Sequence, residues 1–317
     1  MGTTNNSRIR LSAATRAVLG TAATLTVLTA LGQPDTSLLA GGFTVMTSAL
    51  AVDRLGTLAL GAPLYLAALA AGAVAGPYPV AAALVFLPLI YAAVHARLHG
   101  PIGHGAGVFA FMGYFLAQFT EARAADVPQL SVAVVVAFCA VLCTGVRVPN
   151  PAEPSRAASR QALQVTAASA LAIAGGHLVS PDHWYWAVVT TWVVFINTES
   201  TGEVLRQSVR RLVGTVLGAA AGYGLATLAA PYGPLLLVLL LACMFGMFFT
   251  SPDAYWAVTF FITGMLCMLL ALLDTFSADV LVLRVHETAL GACCGVLAAR
   301  LQSRDGYRDH DRPPHDG

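Results

Sequence analysis

The chain has no lysine: the 17 residues in its Lys+Arg total are all arginine, and charged residues make up only 10% of 317 positions. Without clustered basic residues on a polar stretch there is no nucleic-acid surface. The formal net charge of +1 names no partner of either sign. There is no Gly-Lys-Ser/Thr phosphate loop, no nucleophile elbow and no His/Cys/Asp group at metal-ligand spacing. Because nothing catalytic converges, the sequence predicts a non-enzyme with no cofactor and no metal. The six cysteines all fall inside apolar runs, where a thiol acts as a small apolar group, so neither disulfides nor a metal site are expected.

What fills the chain instead is apolar: 57% of residues are hydrophobic, and they come in blocks of roughly twenty, the length a helix needs to cross a bilayer. Such blocks must satisfy their own backbone polar groups, which makes them helices. About twelve are predicted, giving an all-α, polytopic membrane protein. The first follows Arg8, Arg10 and Arg16 and stays in the chain as a spanning helix, not a cleaved leader. Pro149, Pro151 and Pro154 mark residues 148–159 as a linker. It divides a six-helix half over 1–147 from a second over 160–301, and a charged tail over 302–317 reads as disordered. The polar stretch 198–210 predicts a short interfacial helix, with a ninth spanning helix starting at Arg211. With the N-terminus in the cytoplasm, every arginine but Arg123 and Arg284 lies inside, as does the C-terminus.

One stretch occurs twice. Ser180-Pro181-Asp182, Tyr185-Trp186-Ala187-Val188, Arg211, Thr215, Gly218 and Gly222 recur in order as Ser251-Pro252-Asp253, Tyr255-Trp256-Ala257-Val258, Arg284, Thr288, Gly291 and Gly295. Pro34-Asp35, Asp53-Arg54, Gly56-Thr57 and Gly61 are a faint third echo in the first half. The two strong copies are separated by three predicted helices, an odd number, so they cross in opposite senses and form an inverted three-helix repeat, an arrangement of many secondary transporters. The six-helix halves, by the same parity, are parallel repeats.

In each copy Arg, Thr, Gly and Gly share one helix face. Gly218, Gly222, Gly291 and Gly295 read as helix-packing positions. Arg211 stands where the positive-inside rule puts an arginine, so topology explains it as well as a ligand would. Arg284 has no such excuse and is a candidate for a substrate or ion-pair role, and Glu287, one turn deeper, is a proton-coupling candidate or the partner that neutralises Arg284. His286 is a proton carrier or a packing residue. Tyr185, Trp186, Tyr255 and Trp256 are interfacial belt residues or flat walls for an aromatic ligand. Thr215 and Thr288 complete the candidate faces, while Asp182 and Asp253 look first like helix caps.

The run from Tyr185 to Gly222 and the later segment from Arg284 to Gly295 resemble the FUSC family, the fusaric acid resistance proteins and aromatic acid exporters of bacterial inner membranes. The resemblance covers 160–301 well and the first half faintly. Members are commonly longer, with a large cytoplasmic domain where this chain has its short linker. The resemblance implies export of small aromatic or amphipathic organic acids driven by the proton gradient. Arg211 and Arg284 would then meet the carboxylate, Trp186 and Trp256 the ring, and Glu287 the proton. Besides the lipid bilayer and the substrate no partner is implied, and a homo-oligomer is left open. A passive organic-anion channel and a non-transporting membrane component are the competing expectations.

Overall fold

The computed structural model describes residues 2–51, 55–145, 158–195, 198, 200–250 and 254–310, with side chains between 7 and 301. The echo at Asp53-Arg54, most of the 148–159 linker, Asp253 and residues 311–317 lie outside the described residues.

Among the described residues the fold is all-helical: α1 Gly2–Ala30, α2 Asp35–Ala51, α3 Leu55–Ala75, α4 Pro79–His95, α5 Gly100–Phe119, α6 Val127–Thr144, α7 Ala158–Val179, α8 Tyr185–Phe195, α9 Thr201–Ala229, α10 Gly233–Phe249, α11 Tyr255–Leu272 and α12 Ala278–His310. Proline opens several of them: α4, α5, α6 and α10 each carry one in the first two positions, where no backbone N–H is needed. Gly145 ends α6 in the left-handed region at φ 61°, the conformation glycine adopts without a Cβ clash.

Three expectations change here. Eight segments, not twelve, are long and apolar enough to cross a membrane, counted by length and composition among the described residues. The reason is local: α4 and α5 run as one apolar stretch through a 3-10 turn, Ala96–His99, while α2, α8 and α10 are only 17, 11 and 17 residues long. At 1.5 Å per residue, α8 measures about 16 Å against a hydrocarbon core of about 30 Å. The interfacial helix expected at 198–210 is instead the first part of a continuous 29-residue α9. Ser200 caps it reciprocally with Glu203, with backbone N–H to side-chain oxygen distances of 3.3 Å in both directions, which starts the helix ten residues before Arg211. Finally, α12 continues to His310, so the tail expected to be disordered from 302 begins as helix.

Packing follows a regular order. In the first six helices α3 lies along α5, α2 along α6, α1 against α2 and α6, and α4 against α5; in the second six, α9 lies along α11, α8 along α12, α7 against α8 and α12, and α10 against α11. The two sets meet where α1 packs on α10 and α4 on α7. α5 is the buried centre of the first set. Its Phe111, Phe115 and Tyr114 are fully enclosed, and they join Phe86, Trp184, Tyr185 and Trp192 in one apolar core that spans both sets. Outward faces carry Val80, Leu84, Leu178 and Leu228 in the open, as an apolar surface against lipid requires. This is a multi-pass membrane protein with a lipid-facing helical surface.

Candidate functional site

The second copy of the repeated stretch builds a charged cluster. Arg284, Glu287, Thr288 and Gly291 fall at i, i+3, i+4 and i+7 of α12, one face, and that face is pressed onto α8. A Cβ at Gly291 would run into the Ala187 carbonyl and Thr190 of α8. The Thr191 hydroxyl, 3.0 Å from both the Ala187 and the Gly291 carbonyl oxygens, ties the two helices together. This close approach carries charge into the protein. Arg284 is 5% exposed and Glu287 fully buried.

Their ion pair is 3.6 Å long, Nη1 to Oε2, beyond hydrogen-bond length. Arg284 Nε and Nη1 and both Glu287 oxygens are left without a hydrogen-bond partner. The guanidinium carbon lies over the Trp186 ring of α8, 3.6 Å from its centroid. Trp186 is itself held edge-on by Phe115 and Phe119 of α5, each at 5.1 Å between centroids. Buried polar groups are nearly always paired, yet the Thr190 and Thr288 hydroxyls are buried without partners too. The cluster therefore presents one cation, one carboxylate, an aromatic wall and open donors.

The first copy is arranged differently. Arg211, 5% exposed, donates to the Tyr255 hydroxyl at 3.1 Å, so α9 and α11 are pinned where α8 and α12 are charged. Gly214 stands in the register of Glu287 and meets Thr259 and the Trp256 carbonyl of α11, leaving no room for a carboxylate.

The remaining candidates separate. Tyr185 is buried beside Phe115, and Thr215 and Thr288 are buried. Trp256 is 44% exposed and His286 is exposed, so neither joins the cluster. Gly218 and Gly222 meet α11 at Phe260 and at Gly264 and Cys267, whereas Gly295 makes only an ordinary contact with Phe195. Asp182 lies exposed in the turn before α8. Sequence reasoning missed Phe115 and Phe119, because an aromatic in an apolar run carries no signal of which tryptophan it will touch. In the first half the Thr44 and Tyr65 hydroxyls lie 3.2 Å apart, and Tyr65 is walled by Phe109 and Phe138.

Residues 171–298, which contain the described parts of both copies, match a family model described as fusaric acid resistance protein-like. No curated protein and no solved structure matches the chain.

Proposed function

We propose that this chain, with residues 171–298 matching the fusaric acid resistance protein-like model, is a transporter that exports small aromatic or amphipathic organic acids across a bacterial inner membrane, with both termini cytoplasmic. One observation carries the reading: a buried guanidinium stacked on Trp186 and loosely paired with Glu287. Such a group offers a carboxylate its charge and offers a ring the same aromatic wall. Intramembrane ionisable residues facing a bundle interior mark substrate and proton pathways. The matching pairing order of the two sets of six helices supports two related halves, with α8, α9, α11 and α12 forming the inverted pair within the second.

The sign of proton coupling follows from competition. The substrate carboxylate and Glu287 compete for one guanidinium. Protonating Glu287 frees Arg284 and raises the site's affinity for the acid; by linkage, bound acid favours the proton. Acid and proton then move together, and outward flux draws on the acid's own gradient, in contrast to the antiport that the family resemblance implies.

The test is uptake of labelled benzoate by inverted membrane vesicles, above that of protein-free vesicles, with the pH difference imposed in either sense. Uptake should be fastest with the medium more acid than the lumen, lose that pH response in Glu287→Gln, and vanish in Arg284→Ala. Uptake stimulated by an acid lumen instead means antiport. Uptake indifferent to both substitutions and to pH overturns the reading in favour of a passive pathway.

A further inference from the structure

The two copies of the repeat grip each other crosswise. α9 of the first packs on α11 of the second, and α12 of the second packs on α8 of the first. Matching Tyr185-Trp186 to Tyr255-Trp256 and Arg211 to Arg284 makes these interfaces counterparts, position by position. A Cβ at Gly218 of α9 would meet Phe260 and Thr263 of α11, and one at Gly222 would meet Gly264 and Cys267. The counterpart of Gly218 is Gly291, and those of Phe260 and Thr263 are Thr190 and Val193. Gly291 meets Ala187 and Thr190 instead. One interface is therefore built twice, in registers three residues apart, about 4.5 Å along the helix.

The arginines follow the register. On α12, which is shifted toward the start of its partner, Arg284 lies over Trp186. On α9, Arg211 reaches the Tyr255 hydroxyl at 3.1 Å and leaves Trp256 44% exposed. The residue three positions after each arginine decides which registers are open. In α9 it is Gly214, set against the Trp256 carbonyl and Thr259, and with no Cβ it passes through either register. In α12 it is Glu287. In the register of α9 its Cβ would run into the Trp186 carbonyl and Val189, the counterparts of Trp256 and Thr259, so α12 is locked where it stands. A packed interface with two arrangements one turn apart is a ratchet, and here only α9 is free to move.

We propose that α9 slides three residues along α11 toward its N-terminal end, and that the slide carries Arg211 from Tyr255 onto Trp256. On the side that the arginine distribution assigns to the cytoplasm, this builds for a small organic carboxylate the guanidinium-over-indole site that Arg284 and Trp186 already form on the other. Its use in export rests on the transport reading; the slide itself does not.

The experiment is a spin-label distance measurement on the full chain in detergent, with the six native cysteines replaced and nitroxides on Leu228→Cys of α9 and Val258→Cys of α11. Leu228 is exposed and lies beyond Val258 along the shared direction of the two helices, so the slide shortens the distance by about 4 Å. Tyr255→Phe, which deletes the acceptor that holds Arg211, should add a population at the shorter distance. Gly214→Ala, whose methyl group the present register excludes, should move the whole distribution there. Should Gly214→Ala fail to fold, Tyr255→Phe decides by itself. An unchanged distance, or one only broadened about its original mean, overturns the ratchet. Vesicle uptake that depends on Arg284 while α9 stays fixed would keep the exporter and remove the slide, and a slide with uptake indifferent to Arg284 and Glu287 would do the reverse.

Discussion

At the scale of single residues, Arg284 and Glu287 are stable only together. Removing one charge strands the other in the protein, at a cost of about 3–5 kcal/mol, while replacing both with apolar groups of like size is near neutral. Glu287→Leu is therefore expected to lower stability by about 3 kcal/mol, and Arg284→Met with Glu287→Leu to recover most of it, measured by denaturant titration in detergent micelles. Recovery of stability without recovery of uptake would separate the pair's function from its folding role. Arg284→Lys keeps the charge but loses the guanidinium carbon held over the Trp186 ring, and is expected to cost about 1 kcal/mol and to weaken benzoate binding. The i, i+3 spacing made this pair visible in the sequence. Trp186 as its platform, and Phe115 and Phe119 behind it, were not visible, because those contacts join α5, α8 and α12 across more than 160 residues of chain.

At the scale of helices, glycines do two different jobs. Gly291 is pressed on the α8 backbone, whereas a Cβ at Gly224 in α9 would meet nothing within 4 Å. Gly291→Ala is expected to destabilise by about 1–3 kcal/mol through overpacking, and Gly224→Ala to stabilise by up to about 1 kcal/mol through helix propensity. Thermal unfolding of the two variants side by side checks this; equal shifts of one sign would remove close approach as the explanation. Helix eight depends on a side chain from another helix. Gln161→Ala releases the Phe195 and Thr198 carbonyls, and is expected to raise hydrogen exchange at residues 192–201 well above that in α7. The sequence carried the Ser200 and Glu203 cap, but the charges around it suggested a separate interfacial helix. The cap fixed where α9 starts, and only the continuous helix showed that the charged turns belong to it.

At the scale of the molecule, the two sets of six share more than pairing order. The turns after α5 and α11 both place an acidic residue in the left-handed region, Glu121 at φ 50° and Asp274 at φ 54°. They also close with the same bonds, Ala122 N–H to Ala117 O at 2.9 Å and Thr275 N–H to Leu270 O at 3.0 Å. Pro77-Tyr78-Pro79 before α4 is echoed by Pro231-Tyr232-Gly233-Pro234 before α10. If all twelve helices cross, as the sequence predicts, α8, short as it is, has to take the chain from one face to the other. In a variant with the six native cysteines replaced, Asp182→Cys should react with an impermeant thiol reagent on intact cells and Gly202→Cys only after permeabilisation. Labelling of both from the same side would remove α8 as a crossing, and with it the six-helix half.

The sequence by itself determined the class of protein and the position of its charge. Long apolar blocks in lipid have only one way to satisfy their backbone, and an arginine and a glutamate one turn apart on such a block must share a face. The tertiary structure decided which charges become a site. Arg211 and Arg284 occupy equivalent places in the two copies, yet Tyr255 answers the first and Glu287 with Trp186 the second. That difference turns on Gly214 standing where the other copy has Glu287, and on how closely each helix approaches its neighbour, a distance no single helix can encode.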